Sequence, residues 1–176
     1  MSMDIVRRIY DGALVLEGAS AADERGSSVR FMADELTALT GFVIREQRVY
    51  TMPVPHTFFG VHFQAGAHPQ SKLISVLHGS GTDFIIDMRR DSPTFGEYEA
   101  VELSAQRPLY VYIPAGFGHA FLSREADTIQ LFSADEHFTA ECGRASGRSI
   151  GLPLPDDVVM SAADAAAPPL TEIFKI

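Results

Sequence analysis

The sequence predicts an all-β fold, a jelly-roll barrel of antiparallel strands with short helices near its ends. Nine short runs rich in Val, Ile, Phe and Tyr follow one another along the 176 residues, and Gly, Pro, Ser or Asp separates most of them. Only two stretches have the apolar spacing that is typical of a helix. Because 46% of the residues are hydrophobic, the chain can bury one core, and a single jelly-roll domain over residues 1–176 is the simplest organisation.

The predicted elements can be placed in order along the chain. The strand runs are ALVLEG, GFVIREQRVYTM, TFFGVHFQ, KLISVLHG, TDFIIDMR, EYEAVEL, PLYVYIP, HAFLS and DTIQLFS. SSVRFMADELTALTG predicts a helix that ends at Gly41. SAADAAAPPLTEIF predicts a helix with Ser161 as its N-cap and a break at Pro168 and Pro169. GRASGRSIGLPLPDD has the composition of a loop.

Charge and cysteine content limit the partners and the compartment. A formal net charge of −9 and a pI of about 5.0 argue against nucleic acid or an anionic membrane as the main partner. Cys142 is the one cysteine, so no intrachain disulfide can form and a reducing compartment, the cytoplasm, is expected. The N-terminal segment does not resemble a signal peptide, and no apolar run is long enough to predict a membrane span.

A histidine lies in the middle of an apolar strand. Strict alternation in TFFGVHFQ places Phe58, Gly60, His62 and Gln64 on one face of that strand. The opposite face then carries Phe59, Val61 and Phe63. A glycine beside the histidine leaves room for a ligand, so the sequence favours a binding site on the His62 face.

Three further polar residues fall on or beside predicted strands: Lys72, Asp83 and His119. A lysine, an aspartate and two histidines inside a small barrel are costly unless they are paired or functional. Taken one at a time they are also compatible with ordinary roles. A histidine on a strand is usually a hydrogen-bonded structural residue, and Lys72 can be a solvated charge at a sheet edge. The residues themselves leave both interpretations open.

Several segments together resemble one family. GVHFQ, QSKLISVLHGSGTDFIIDMRRDSPTFGEYEAVELS and YIPAGFGHAF resemble strand, hairpin and turn motifs of the dTDP-4-dehydrorhamnose 3,5-epimerase family. DERGSS and IGLPLPDDVVMSAADAAAPPL are similar to its N-terminal turn and its C-terminal segment. The resemblance implies a double-stranded β-helix, the cupin-like jelly roll, in a homodimer that needs no cofactor. It also implies a nucleotide-linked sugar as the small-molecule partner, in cell-surface polysaccharide or deoxysugar biosynthesis.

The chemistry that the resemblance implies is proton abstraction next to the ketone of a 4-keto-6-deoxyhexose. A neutral histidine suits the base, because its pKa lies near 7, and an ammonium group suits the enolate oxygen, where negative charge develops. By resemblance His62 is the base and Lys72 lies beside the sugar, with Asp83 as a further catalytic residue. His119 and Gln64 would help to bind the substrate.

Two further substrate contacts follow from the resemblance. Arg25 matches the arginine of the family's DxRG turn, which approaches the diphosphate, and a bidentate guanidinium suits that group. Gln47 matches a glutamine that approaches the nucleotide.

The sequence also departs from the family pattern, which predicts a depleted catalytic set. Phe59 stands where the family has an arginine, and CGRASGRSIG, where an aspartate that orients the base is expected, contains no acid. IQLFSADEHF has no tyrosine, the family's general acid; Gln130 and Asp135 stand roughly at its two tyrosine positions. The nearest replacements for the acid are Asp135 and His137, with Tyr50 or Tyr112 as alternatives from elsewhere in the chain.

The departures leave more than one function open. A single epimerisation is compatible with a missing acid, and so is a non-catalytic protein that binds a sugar nucleotide or another carbonyl ligand. A metal cupin is disfavoured, because GVHFQ lacks the second histidine of an HxH pair and two histidines alone make a poor divalent site. No metal is therefore predicted.

Overall fold

Two antiparallel sheets dominate the computed structural model, which describes residues 3–140 and 142–175. The first sheet contains, in spatial order, β1 (Asp4–Ile9), β2 (Ala13–Glu17), β10 (Leu109–Ile113), β7 (Lys72–His78), β12 (Thr128–Ala134) and β5 (Glu46–Met52). The second contains β13 (Gly143–Ala145), β6 (Phe58–Phe63), β11 (Phe117–Ser123), β8 (Ser80–Asp87) and β9 (Tyr98–Ser104). A separate hairpin is formed by β3 (Ala19–Asp23) and β4 (Gly26–Arg30). The all-β prediction is confirmed.

The main core lies between the two sheets. Ile74 and Val111 of the first sheet pack in one apolar cluster with Ile85 and Phe121 of the second, and all four are fully buried. Burying a side chain of this size stabilises the fold by about 1.5–3 kcal/mol. The inward-facing residues of the sheets therefore hold the jelly roll together and define the space in which a ligand can lie.

In the part of the chain that the structure describes, four short helices cover the outer faces and ends: α1 (Ala33–Thr40), α2 (Gly147–Ile150), α3 (Ala162–Ala165) and α4 (Leu170–Phe174). Leu36 of α1 packs on Leu14 and Leu73 at the outer face of the first sheet. The segment from α2 to α4 covers the outer face of the second sheet. Within the described ranges no helix is long and apolar enough to cross a membrane.

The helix predictions are right in part. α1 ends at Gly41, whose backbone is left-handed (φ 77°) and whose N–H bonds to the Thr37 carbonyl. The helix does not begin at the SSV segment, because those residues pair with β3 as β4. Ser161 caps α3 by accepting a hydrogen bond from the Asp164 N–H, and the two prolines separate α3 from α4, as predicted.

The segment predicted as a loop, GRASGRSIGLPLPDD, contains structure at its start. Its first three residues form β13, which pairs with β6, and the next residues form α2 with Ser146 as N-cap. The loop prediction is wrong there. A strand of three residues carries no readable periodicity, and its conformation is fixed by the neighbouring strand edge rather than by local propensity.

A β-bulge in β6 changes which side chains share a face. His62 lies opposite His119, but Phe59 lies opposite Phe121, so three steps along β6 match two along β11. Phe59 and His62 therefore point to the same side, and Phe59 packs on the core between the sheets. Phe58 packs with Val61 on the outer face. The alternation predicted for TFFGVHFQ is wrong at this point, because one extra residue moves side chains to the other face.

Candidate active site

A cavity of about 270 Å³ opens between the two sheets beside His62. Strands of both sheets and α3 contribute to it. Its polar and ionisable lining residues are Arg48, Tyr50, His62, Gln70, Lys72, His119, Gln130, Cys142, Arg144, Ser161 and Asp164. Aromatic rings of Phe59, Phe63, Phe132 and Phe138 form much of the remaining wall. The surface of the wall is mostly apolar, with polar groups that converge on the cavity, and this combination is typical of a small-molecule site.

His62 is hydrogen-bonded to Asp164, whose carboxylate comes from α3. The Nε2 of His62 lies 2.8 Å from Oδ1 of Asp164, and the Gly60 N–H points to Oδ2 at 3.4 Å. Burial lowers the pKa of His62 below its usual value, and the Asp164 carboxylate opposes that effect. Burial acts to raise the pKa of Asp164, but the hydrogen bonds from His62, Ser161 and Gly60 outweigh it, so this pKa is lowered. The pair therefore consists of a neutral imidazole and an ionised carboxylate near pH 7.

This pair corrects the expectation that no acid orients the histidine. The family pattern places this acid in CGRASGRSIG, whereas the structure supplies it from SAADAA, 102 positions beyond His62. The only local signal at Asp164 was its place three residues after the Ser161 cap, which indicates a helix N-terminus and not a contact with a distant strand.

Lys72 is a buried cation that faces the cavity. Its residue is 3% exposed, and its Nζ has no hydrogen-bond partner among residues 3–140 and 142–175. Burial lowers the pKa of Lys72 to about 8, although nearby Cys142, Asp135 and Asp83 act to raise it. The ammonium group is still mostly protonated at pH 7. A buried donor without a partner is costly, so it indicates an acceptor that arrives with a ligand.

Asp83 and His119 form a second buried pair. The Oδ1 of Asp83 lies 2.5 Å from the Nε2 of His119, and Asp83 is fully buried behind it. Burial raises the pKa of Asp83, while the neighbouring His119 and Lys72 act to lower it. His119 lines the cavity, whereas Asp83 is not among the lining residues. The Asp83 carboxylate therefore influences a ligand in the cavity through its hydrogen bond to His119.

Gln130 and Tyr50 lie side by side at the first sheet's wall of the cavity. They are opposite one another in the β12–β5 pairing. Gln130 is 1% exposed, and in the described part of the chain its Nε2 has no hydrogen-bond partner. The half-buried ring of Tyr50 packs on Phe59 with ring centroids 4.8 Å apart. The cavity thus holds a second free donor, and of the two alternative tyrosines it is Tyr50 that lines it.

Besides Asp83 and Tyr112, five residues selected from the sequence do not line this cavity: Arg25, Gln47, Gln64, Asp135 and His137. Gln64 is buried and bonds the backbone of His68, His137 and Thr139, which ties two loops together. Gln47 donates to the Ser133 hydroxyl at 2.9 Å.

The other three lie outside the cavity for different reasons. Asp135 accepts a hydrogen bond from the Ser71 N–H at 2.7 Å, and His137 lies beside Glu46 with its side chain 69% exposed. Arg25 lies at the tip of the β3–β4 hairpin, bonded to Asp23, with its side chain 84% exposed. Arg25 therefore does not contact the cavity of its own chain.

No metal centre can be assigned in the part of the chain that the structure describes. There, no three His, Cys, Asp or Glu side chains are grouped closely enough to hold an ion. His62 and His119 are each bonded to an aspartate through Nε2 instead.

A family model for dTDP-4-dehydrorhamnose 3,5-epimerase matches residues 8–172. The chain belongs to this family. An epimerase of that name from Methanothermobacter thermautotrophicus is 30% identical over 175 residues, which are 95% of this chain and 94% of the relative. Family membership confirms the resemblance of the motifs, and it agrees with the cupin-like jelly roll.

Two solved structures are similar over nearly the whole fold. A dTDP-6-deoxy-D-glucose-3,5-epimerase from Legionella pneumophila, in complex with dTDP-4-keto-L-rhamnose, has a TM-score of 0.89 and 29% identity, covering 98% of this chain and 95% of that one. A 3'-monoepimerase from Streptomyces bikiniensis, in complex with dTDP-quinovose, has a TM-score of 0.85 and 28% identity, covering 94% and 88%. The neighbours thus include enzymes named for two centres and for one.

Proposed function

We propose that this protein epimerises a nucleotide-linked 4-keto-6-deoxyhexose by removing a proton next to the ketone. One observation carries the proposal: a His–Asp pair and a buried lysine without a partner face the same cavity. The names of the relatives support a dTDP-linked sugar as the substrate. A role in deoxysugar or polysaccharide biosynthesis follows from that chemistry.

His62 is the proposed base. Because the Asp164 carboxylate accepts a hydrogen bond from Nε2, the neutral ring carries its proton there and its lone pair on Nδ1. Asp164 fixes the orientation of the ring and stabilises the imidazolium ion after proton transfer. The lowered pKa of His62 keeps the free protein in the basic form at pH 7.

Lys72 and Gln130 are the proposed donors to the carbonyl oxygen of the sugar. Both have buried nitrogen atoms without partners within the described ranges. When the proton leaves carbon, negative charge develops on this oxygen, and donors already in place stabilise it without reorganisation. Asp83 holds His119 at the cavity wall, so the two act on the substrate together.

Tyr50 is the proposed proton donor on the opposite face of the sugar. It carries the tyrosine hydroxyl at the cavity, whereas the candidates Asp135 and His137 lie outside the lining. IQLFSADEHF, the segment of β12, has no tyrosine, and in this proposal the acid acts from the neighbouring strand β5 instead. A proton donor in a changed position favours exchange of the substrate's protons with solvent over inversion of configuration. It also favours inversion at one carbon over inversion at both.

A homodimer is proposed to complete the substrate site. Arg25 suits a diphosphate, but its hairpin lies outside the cavity of its own chain, so the hairpin of a second copy would bring it there. The nucleotide contact predicted for Gln47 and the substrate contact predicted for Gln64 find no support, since both amides are used within the chain. A cytoplasmic location remains a prediction from the sequence.

Deuterium exchange tests the proposal. The protein is incubated with dTDP-4-keto-6-deoxyglucose in heavy water, and proton NMR follows the C3 and C5 positions. Exchange is expected at C3 or C5, and His62→Asn should abolish it. His56→Asn is the matched control, because His56 forms an exposed pair with Asp157 at 2.8 Å away from the cavity.

The possible outcomes separate the proposed enzyme from the alternative. Exchange at both positions supports the two-centre reaction, and exchange at C3 alone supports a single epimerase. Tight binding of the substrate without any exchange would favour the non-catalytic protein. The reason to consider this alternative is that Gln130 stands where the family has a tyrosine. Wild-type exchange in His62→Asn would show that another group is the base.

A further inference from the structure

Arg144 shares the catalytic carboxylate with His62. Its Nε lies 3.3 Å from Oδ1 of Asp164, the same oxygen that lies 2.8 Å from His62 Nε2. Arg144 is on β13, directly opposite His62 in the β13–β6 pairing. Its side chain is 42% exposed and lines the cavity, so one part faces the carboxylate and another part is open to a ligand.

This arrangement places two cations on one carboxylate oxygen when His62 is protonated. A guanidinium beside Asp164 reduces the attraction that the carboxylate offers to the imidazolium, and it repels the imidazolium directly. Both effects favour neutral His62. An anion that binds Arg144 from the cavity would cancel part of this charge and would strengthen the effect of Asp164 on His62.

We propose that Arg144 couples the binding of an anion in the cavity, of the diphosphate class, to the basicity of His62. The free protein then holds a weaker base, and His62 becomes a stronger base once the anionic part of the substrate is in place. Arg144 takes no part in the proton transfer and acts on His62 by its charge and through Asp164, so it is a positioning residue. The inference rests on the proposed function only in assigning His62 as the base.

Other charged groups near His62 also change its pKa, so a test of Arg144 must leave them unchanged. Three charged or ionisable side chains face His62: Asp164 from α3, Arg144 from β13 and His119 from β11. Burial lowers the pKa of His62, Asp164 raises it, and Arg144 and His119 lower it. Across the cavity lie further ionisable groups of β5, β7 and the segment before β13: Arg48, Tyr50, Lys72 and Cys142. A variant at Arg144 leaves all of these side chains in place.

The experiment is an NMR titration of His62 in the full-length protein, with and without dTDP or inorganic pyrophosphate. The resonance is assigned by its loss in His62→Asn. In the wild type, either probe is expected to move the His62 midpoint to higher pH. In Arg144→Gln the midpoint of the free protein should already be higher, and the probe should add a smaller shift. Arg144→Lys should keep most of the wild-type behaviour, since it retains the charge.

Two comparisons make the result decisive. Arg107→Gln removes an arginine from an exposed ion pair with Glu17, far from the lining, and should leave the His62 titration unchanged. Equal probe-induced shifts in the wild type and in Arg144→Gln would overturn the coupling, as would no shift in the wild type. The titration needs no turnover, so a failure of the proposed epimerisation appears separately, as an absence of deuterium exchange when the same protein is incubated with dTDP-4-keto-6-deoxyglucose in heavy water.

Discussion

Gly60 and Asp164 lie so close together that a side chain on Gly60 would collide with the carboxylate. A Cβ built on Gly60 would be 2.8 Å from Cγ of Asp164. The glycine lies in the bulged part of β6, two residues before His62, and its N–H points to the same carboxylate. The bulge and the missing side chain together create the space in which α3 reaches the histidine.

Gly60→Ala should therefore weaken the His62–Asp164 pair without removing either residue. We expect deuterium exchange to fall by about 10- to 100-fold, the usual effect of losing an orienting partner. The second expectation is a lower His62 midpoint by NMR, because Asp164 acts to raise that pKa. In an Asp164→Ala background the same change should have little further effect on exchange, and an additive loss would contradict the steric explanation.

Asp164→Asn keeps the size of the side chain and removes its charge. The carboxylate raises the pKa of His62, so its loss should move the acidic limb of the exchange rate to lower pH. The maximal rate should fall by about 10-fold or more, because the imidazolium is less stable and the ring is less well oriented. A pH–rate profile of wild type and variant measures both quantities. An acidic limb that moves to higher pH would be incompatible with this account.

Lys72→Met should separate activity from stability. The methionine fills a similar volume without a buried charge, so the variant should unfold at the same or a higher temperature while losing exchange by roughly 100-fold. The native pKa of Lys72, about 8, is below its usual value of 10.5, so the unfolded chain binds more protons between these values. The stability of the wild type relative to Lys72→Met should therefore rise with pH from about 8 to 10.5, as measured by urea unfolding. A flat difference would mean that Lys72 is solvated.

Tyr50→Phe should reduce inversion more than exchange. Removing the hydroxyl leaves base and enolate stabilisation intact but takes away the positioned acid, which is typically worth about 10² to 10⁴ in rate. The measurement is the ratio of inverted to exchanged product by NMR. Tyr112→Phe is the control, because Tyr112 packs under α1 with Leu36 and Phe42. Asp135→Asn and His137→Asn should keep the wild-type ratio, and a loss of inversion in either would return the acid to that residue.

Arg25 should act across a dimer. Light scattering is expected to give twice the chain mass, and Arg25→Ala should raise KM for the dTDP sugar. Mixing inactive His62→Asn with Arg25→Ala should then regenerate about a quarter of the native sites in a random exchange of subunits. A mixture no more active than its components would show that Arg25 does not work in trans.

Nine strands (β2 and β5 to β12) and the residues His62, Lys72 and His119 could be predicted from the sequence, because each belongs to a local pattern of apolar alternation or a turn. The strands β1, β3, β4 and β13 were missed, because short strands of mostly polar or small residues carry no apolar alternation. The bulge could not, since TFFGVHFQ alternates acceptably with or without it and only the register with β11 decides. The Asp164 contact was also out of reach: it depends on the path of the chain after β13, and a helix cap predicts no distant partner.

The order of the chain has a consequence for its synthesis. The thirteen strands in the described ranges all lie before residue 146, whereas the carboxylate that orients His62 follows the last of them. A ribosome therefore adds every strand residue of both sheets before it adds Asp164. A nascent chain halted in that interval contains the barrel strands but has no Asp164, so its epimerase activity should be lower than that of a chain that includes α3.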